Sequence, residues 1–474
     1  MARLLFLQNL DYEFLGPMYL SSSARAAGHE CRLALGQSIE EFAAVLDQFT
    51  PDLIGFSTMS GSHRWAIEMA RTIKEEYGIP NIIGGAHPTF FPEMITEHGI
   101  DMILRGEGEE SIVELLNRLG SKQTFSDVPN IWFKNGQIYR NDVRALPRDL
   151  DQYPFPDRHL YDALDGRLDR SVRNVITSRG CPWHCSFCFE DAMRELYTDK
   201  GKYVRIRRID DVIEECVQLK QTADVRTIYF ADDVFGINRK WLYEFLPRYG
   251  RDVGLPFICL VRADLVASDP EYAFRLAEGG CTSAFFGVES GNETLRNRVL
   301  VKQLTTNQIE TAAAFLHAAH IPFRTYNIVG LPGETIEDAF STVDLNISIK
   351  ADYPWCSVFS PFPGTALTQY AVDAGYLDRD VDPDALSKSF FTDSKLNNRD
   401  TAALENLQKF FQTAVLWPRT FPLVKALVRL RPNVFFTIWF GLVYFYVYLK
   451  SERRAFWQTL RFAFRNYRHV LAKH

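Results

Sequence analysis

Acid is what the end of this chain lacks. Between Leu416 and His474 the one carboxylate side chain is Glu452, against eleven Lys and Arg. That segment carries a formal +10 and leaves −16 on the remainder of a chain whose net charge is −6. A mildly acidic whole excludes a nucleic-acid footprint spread over the molecule, and the uneven split asks for something that the tail alone meets. Cysteine is scarce as well. Of eight, Cys31, Cys216, Cys259, Cys281 and Cys356 stand alone in apolar or helical stretches. In 474 residues that excludes a disulfide scaffold. The opening segment, Met1 to Gln8, reads as a short apolar strand without a cleavage-site pattern, so a cytoplasmic body is the expectation. No G-x-G-x-x-G follows that strand, which removes the common dinucleotide fingerprint. There is no low-complexity tract and no repeat beyond an alternation of strand and helix.

That alternation is what the chain does have. Short apolar runs at Leu4–Leu7, Cys31–Leu35, Leu53–Ser57, Asn81–Gly85 and Met102–Arg105 are separated by helical stretches such as Glu40–Phe49 and His63–Tyr77. The pattern predicts an α/β fold whose first domain, residues 1–125, is a doubly wound parallel sheet of Rossmann-like kind. Residues 126–169 read as a Pro-punctuated linker carrying a hairpin, with a type I′ turn at Asn135-Gly136. Six further units, with strands at Val172–Thr177, Thr227–Ala231, Phe257–Val261, Ser283–Gly287, Arg324–Val329 and Cys356–Ser360, predict a partial (β/α)6 barrel over 170–370. Residues 371–474 form a helical C-terminal region.

Polar motifs cluster at the strand ends. After the first barrel strand comes Cys181-Pro-Trp-His-Cys185-Ser-Phe-Cys188. Three thiolates on one loop suit three corners of an iron–sulfur cluster, and the missing fourth leaves one iron for another ligand. A zinc site without a nearby fourth ligand and fortuitous buried thiols are the competing readings, with His184 a loop residue. The triplet resembles that of the radical S-adenosylmethionine (SAM) superfamily. The resemblance implies a [4Fe-4S] cluster on Cys181, Cys185 and Cys188, SAM on its free iron, and Phe187 beside the adenine. It implies further SAM contacts from Asp232 and Asp233 toward the amino group, Arg262 toward the carboxylate, Glu289 and Ser290 toward the ribose, and Gly330 on the adenine side. In Tyr326-Asn-Ile-Val-Gly330-Leu-Pro-Gly333-Glu334 the Glu stands one residue later than in the commonest form.

The first domain resembles the cobalamin-binding domains that precede such cores. The matching stretches are Gly55-Phe-Ser57-Thr-Met59-Ser60, Gly84-Gly85-Ala-His87-Pro-Thr-Phe-Phe-Pro-Glu93 and Asp101–Glu109. The resemblance implies cobalamin contacts from Ser57, Met59, Gly84, Gly85 and His87. Many such domains carry Asp-x-His-x-x-Gly, whose His binds cobalt from below. Here the stretch is Asp11-Tyr-Glu13-Phe-Leu-Gly16, so Glu13 stands at the His position and water or no lower ligand is expected. His63 and His87 are weaker candidates for that role.

The tail holds 17 uncharged residues, Asn433–Leu449, about 25 Å of helix against a hydrocarbon core of ~30 Å. Phe456, Trp457, Leu460, Phe464 and Tyr467 follow, interleaved with Arg461, Arg465 and Arg468. Aromatic residues beside basic ones suit a headgroup boundary, so peripheral contact with the inner face of a membrane is expected. A helical pair packed on the barrel is the competing reading.

Together these features lead us to expect a cobalamin-dependent radical SAM enzyme that methylates an unactivated carbon of a small hydrophobic substrate through methylcobalamin, with an external donor of flavodoxin or ferredoxin type. A non-methylating cyclase or rearranging enzyme, or a corrinoid-binding sensor, are the alternatives.

Overall fold

The computed structural model describes residues 1–164, 168, 170–222, 224–378, 391 and 393–452. Two compact units share them. One holds Met1–Asp169 with Ala192–Arg205, the other Arg170–Asp191 and the chain from Ile206 onward.

In the first unit, β1 (Arg3–Gln8), β2 (Glu30–Leu35), β3 (Leu53–Ser57), β4 (Asn81–Gly84), β5 (Met102–Leu104), β6 (Ile131–Asn135) and β7 (Gln137–Arg140) form one sheet. Their order is β2-β1-β3-β4-β5-β6-β7. The first five run parallel, and the last two are antiparallel. The unbroken run in β1 follows from burial on both faces. Leu4 and Phe6 enter the core under helices Leu15–Ala26 and Glu109–Gly120, while Leu5 and Leu7 enter the one under Ile39–Phe49 and His63–Tyr77.

The hairpin differs from expectation twice. It extends this sheet from β5, so residues read as a linker lie within the first unit. Its turn is also not type I′. Lys134 pairs with Ile138 and only Gly136 has a positive φ, at 72°, whereas type I′ needs two such residues. Asn135 pairs with Gln137 as well, so Gly136 alone, in the left-handed position, joins the two strands.

In the second unit, β8 (Val172–Val175), β9 (Thr227–Phe230), β10 (Phe257–Leu260), β11 (Cys281–Glu289), β12 (Phe323–Val329) and β13 (Tyr353–Val358) lie in sequence order, all parallel. That is the path of a β/α barrel. β8 and β13 do not pair with each other, so the barrel is partial. Phe230, Phe257, Phe286, Phe323, Cys356 and Val358 face the outer helices and form the core. Cys356 is thus a buried structural thiol, turned away from the concave face.

An open edge strand exposes unpaired carbonyls. Helix Thr401–Leu416 covers that of β13: Gln408 Nε2 donates to the Cys356 carbonyl at 3.2 Å and Gln412 Nε2 to that of Pro354 at 3.0 Å. Pro354 has no N–H to leave unpaired there. Helix Val434–Glu452 follows and packs through Phe440, Val443 and Val447. Its contacts are Phe436 on Phe410 (4.7 Å between ring centroids), Tyr444 on Trp355 (5.3 Å), and a hydrogen bond of 2.5 Å from Arg324 Nη2 to Ser451 Oγ. The aromatic and basic stretch from Phe456 to Arg468 lies outside the described residues.

Candidate functional site

The cysteine loop leaves β8 and is tied down at its middle. Ser186 N–H donates to the Leu300 carbonyl (3.0 Å), Ser186 Oγ donates to that of Val299 (2.6 Å), and Leu367 N–H donates to that of Ser186 (2.8 Å). Cys188 N–H closes a turn onto the Cys185 carbonyl at 3.0 Å. Burial first, then the carboxylates of Asp233 and Glu190 and the charge of Cys185, push the Cys181 thiol up to about 11 and the Cys188 thiol up to about 12. Iron binding needs thiolates, so the metal's positive charge must offset this cost. Among the described residues no three His, Cys, Asp or Glu side chains converge closely enough for a single ion. A cluster asks less, since each thiolate reaches a different iron. His184 Nδ1 is engaged with Asp191 Oδ1 at 2.6 Å.

Around this loop the strand ends bring charged groups together. Arg262, after β10, stacks over the Trp183 ring (4.4 Å), sits 3.9 Å from Cys185 Sγ, and donates to the Lys302 carbonyl (2.8 Å) and to Asp264 Oδ1 (2.9 Å). Glu289, ending β11, meets Lys302 Nζ at 2.6 Å; both side chains are more than nine-tenths buried. The same ammonium lies 5.8 Å from the Phe187 ring centroid. Gly287 is glycine because a Cβ there would collide with this ion pair. Phe187 packs with Leu300, Leu331 and Phe359, which joins the cysteine loop to the segment after Gly330. Gly330 has φ 80°, and its N–H and that of Leu331 donate to Glu334 Oε2 at 2.5 and 3.1 Å. Burial holds the Glu334 carboxyl up at about 8.

Two expected contacts have other work in the fold. Asp232 is turned inward, and its Oδ1 accepts from Thr177 N–H, Thr177 Oγ1 and Ser178 Oγ at 2.9, 2.9 and 2.6 Å. Burial raises its carboxyl to about 6, and its Oδ2 is buried without a partner. Asp233, one residue on, is exposed and accepts from the Gly180 N–H. Ser290 is fully buried; its Oγ accepts from Asn292 N–H (3.3 Å) and its carbonyl from Arg296 Nη1 (2.7 Å).

In the first unit, a cavity of about 70 Å³ opens at the carboxyl ends of β1, β3 and β4. Strand order reverses between β1 and β3, the place where such sheets take ligands. Leu10, Phe14, Ser57, Met59, Trp65 and Gly85 are among its lining residues. Gly85 has φ 103°, and a Cβ would sit 2.5 Å from the Thr58 carbonyl oxygen. Thr58 Oγ1 is buried with no partner, a polar atom available to a ligand. Gly84 is buried below the rim. His87 is 3% exposed and stacks on His63 at 3.7 Å between centroids, with Phe91 at 4.9 Å and Ser60 Oγ 3.0 Å from Nδ1. Burial first, then the charges of His63 and Arg64, hold it down at about 3, so it is neutral at pH 7. Neither His87 nor Glu13 lines the cavity.

Family models match a region in each unit. A B12 binding domain matches residues 9–116 and the Radical SAM superfamily matches residues 175–345. The chain belongs to the cobalamin-binding radical SAM enzymes. Its cofactors are a [4Fe-4S] cluster, SAM and cobalamin.

An uncharacterized methyltransferase of Pyrococcus horikoshii is 28% identical over 76% of this chain and 78% of its own length. The hopanoid C-3 methylase of Methylococcus capsulatus is 29% identical over 61% and 56%. An anaerobic magnesium-protoporphyrin IX monomethyl ester cyclase of Cereibacter sphaeroides is 27% identical over 76% and 61%. The fold is shared with OxsB, solved with aqua-cobalamin and SAM bound, at a TM-score of 0.71, 16% identity, 99% of this chain and 75% of that one. It is also shared with TsrM of Kitasatospora setae, at a TM-score of 0.64, 18% identity, 79% and 75%.

For this radical SAM enzyme, sequence reading had missed Lys302, Glu190, Thr177 and Ser178. Glu190 Oε2 accepts from Cys181 N–H at 3.0 Å, and its signal was only its closeness to the triplet. Lys302 has no spacing that ties it to Glu289; the turn between them does so in space.

Proposed function

We propose that the chain methylates an unactivated carbon of a small hydrophobic molecule. The observation that carries this reading is the coexistence of an intact cysteine triplet and a cobalamin-type cavity in one chain, with methyltransferases among its relatives. When bound, the three cofactors supply a reductively generated carbon radical and a transferable methyl group. The chain's own residues hold and orient them. Cys181, Cys185 and Cys188 would hold the cluster, and Arg262 places a cation against the Cys185 sulfur. The amino-acid end of SAM is zwitterionic, and Lys302 with Glu289 presents both signs beside Phe187. Asp233 is the exposed carboxylate for its ammonium, while Asp232 braces the ends of β8 and β9. Gly330 and Ser290 shape the backbone around it. Ser57, Met59, Gly84 and Gly85 would let the corrin approach the main chain, with Glu13 and His87 supporting from behind.

Anaerobic reconstitution with iron, sulfide and cobalamin tests this. Methyl transfer yields S-adenosylhomocysteine alongside 5′-deoxyadenosine. 5′-Deoxyadenosine alone would favour cyclisation or rearrangement, the reading that the cyclase relative supports. Neither product would leave a corrinoid-binding sensor. The EPR spectrum of the cob(II)alamin form should lack nitrogen superhyperfine splitting, since Glu13 replaces the lower histidine. The electron donor is of flavodoxin or ferredoxin type. The enzyme is cytoplasmic, with the C-terminal segment against the inner membrane face.

A further inference from the structure

Helix Val434–Glu452 has two faces that differ in what they touch. Phe440, Val443, Val447 and Ser451 are buried against the second unit. Val434, Phe435, Ile438, Trp439, Leu442 and Tyr446 are 43–75% exposed. At ~3.6 residues per turn those six fall on one arc of about 140°. Phe445 and Leu449 fill its remaining positions up to Leu449, so no charged residue interrupts it. Leu423 and Leu430, earlier in the same C-terminal region, are also 61% and 55% exposed. Exposed apolar area of this extent marks a surface that meets something apolar.

We propose that this face docks in the headgroup boundary of an anionic bilayer, with the helix axis in the membrane plane. Two observations select that occupant. The charge is cationic: Arg419, Arg431 and Lys450 are exposed, and in sequence the segment from Leu416 to His474 carries eleven Lys and Arg against the single acid Glu452. The opposite face is already committed, through the buried Arg324–Ser451 hydrogen bond and the Trp355–Tyr444 contact, so the helix cannot cross the bilayer without losing them.

The committed face also names a substrate class. Arg324, Tyr326 and Trp355 alternate with the core residues Phe323, Thr325 and Cys356, and so lie on the concave side of the sheet. Tyr326 and Trp355 pack edge to face (6.4 Å), and Arg324 lies over Phe285 (4.4 Å). One helix thus has lipid on one side and the aromatic concave face on the other. The substrate is therefore a molecule that partitions into the bilayer. This last step rests on the proposed methylation of a hydrophobic molecule; the docking deepens the proposed membrane contact of the C-terminal segment and does not depend on that chemistry.

The test is cosedimentation of the full reconstituted chain with phosphatidylcholine vesicles, with and without phosphatidylglycerol. Binding to the anionic vesicles, weakened by salt, is expected. The variant Phe435→Glu/Ile438→Glu/Leu442→Glu should lose at least ~10-fold in partitioning, as expected for three apolar anchors, while still cleaving SAM to 5′-deoxyadenosine in detergent-free buffer. If the triple variant misfolds by circular dichroism, Leu442→Gln alone should give a smaller loss in the same direction. Three results would overturn the proposal: no binding by the unaltered chain, equal binding by the variants, or a lipid-free dimer that the triple variant dissolves, which would give the face to a second copy. Failure to form 5′-deoxyadenosine with vesicle binding intact would strike the proposed function and leave the docking standing.

Discussion

The two sheets are built from the same local unit and present different surroundings at their strand ends. In the first, strand order reverses between β1 and β3, and the crevice has small residues at the strand ends, Ser57, Thr58 and Gly85, beside apolar walls from Leu10, Phe14, Met59 and Trp65. In the second, order is sequential, and the site is made of buried charged groups: Arg262, Glu289, Lys302. A large flat macrocycle is met by close approach of the backbone, which Cβ atoms would block. A small charged ligand suits fixed charges whose desolvation must be offset by partners. Identical strand–helix units thus serve two recognition modes according to what stands at the strand ends.

The largest effect expected tests the second site. Replacing any one of Cys181, Cys185 and Cys188 with Ala should abolish 5′-deoxyadenosine formation and lower bound iron. Cobalamin binding by the first unit should persist, measured by the corrinoid absorbance retained after desalting. Loss of both would break the comparison.

Next, Lys302→Met leaves Glu289 buried without its partner. It should cost ~3–5 kcal/mol in denaturant unfolding, and the double variant with Glu289→Gln should recover most of that. Equal costs for single and double variants would show that charge pairing does not organise the site.

Gly85→Ala should cost more than ~1 kcal/mol, because its φ of 103° and the nearby Thr58 carbonyl leave no room for a Cβ. Cobalamin retention should fall while SAM cleavage does not.

A further effect concerns pH. Burial raises the folded Glu334 carboxyl to about 8, above its ordinary 4.5. Between those values the folded chain holds a proton that the unfolded chain has lost, so stability falls as pH rises through that window. Glu334→Gln still accepts from Gly330 and Leu331, and should flatten the slope by at most ~1.4 kcal/mol per pH unit.

Most strands were legible, because a parallel strand buried on both faces must be an unbroken apolar run, as in Leu4–Leu7. The cysteine triplet was legible because cluster ligands sit close in sequence. The hairpin's place was not: its residues name a turn, but joining β5 depends on a partner some thirty residues earlier. Lys302 was invisible for the same reason, as were Gln408 and Gln412, whose targets are carbonyls more than fifty residues away. Asp232 and Asp233 read alike in sequence, yet the pleat sends one inward to Thr177 and Ser178 and leaves the other outside.

By itself the sequence determined the chemistry available: three thiols on one loop, a glycine-lined strand end, and a tail poor in acid. Those properties are local, set by residue type and short spacing. The tertiary structure decided which carboxylate is turned inward to brace the fold and which is exposed, that Glu289 meets Lys302, and which side of the last helix packs and which is left outward. Those depend on register and burial, and neither is a property of any short stretch of chain.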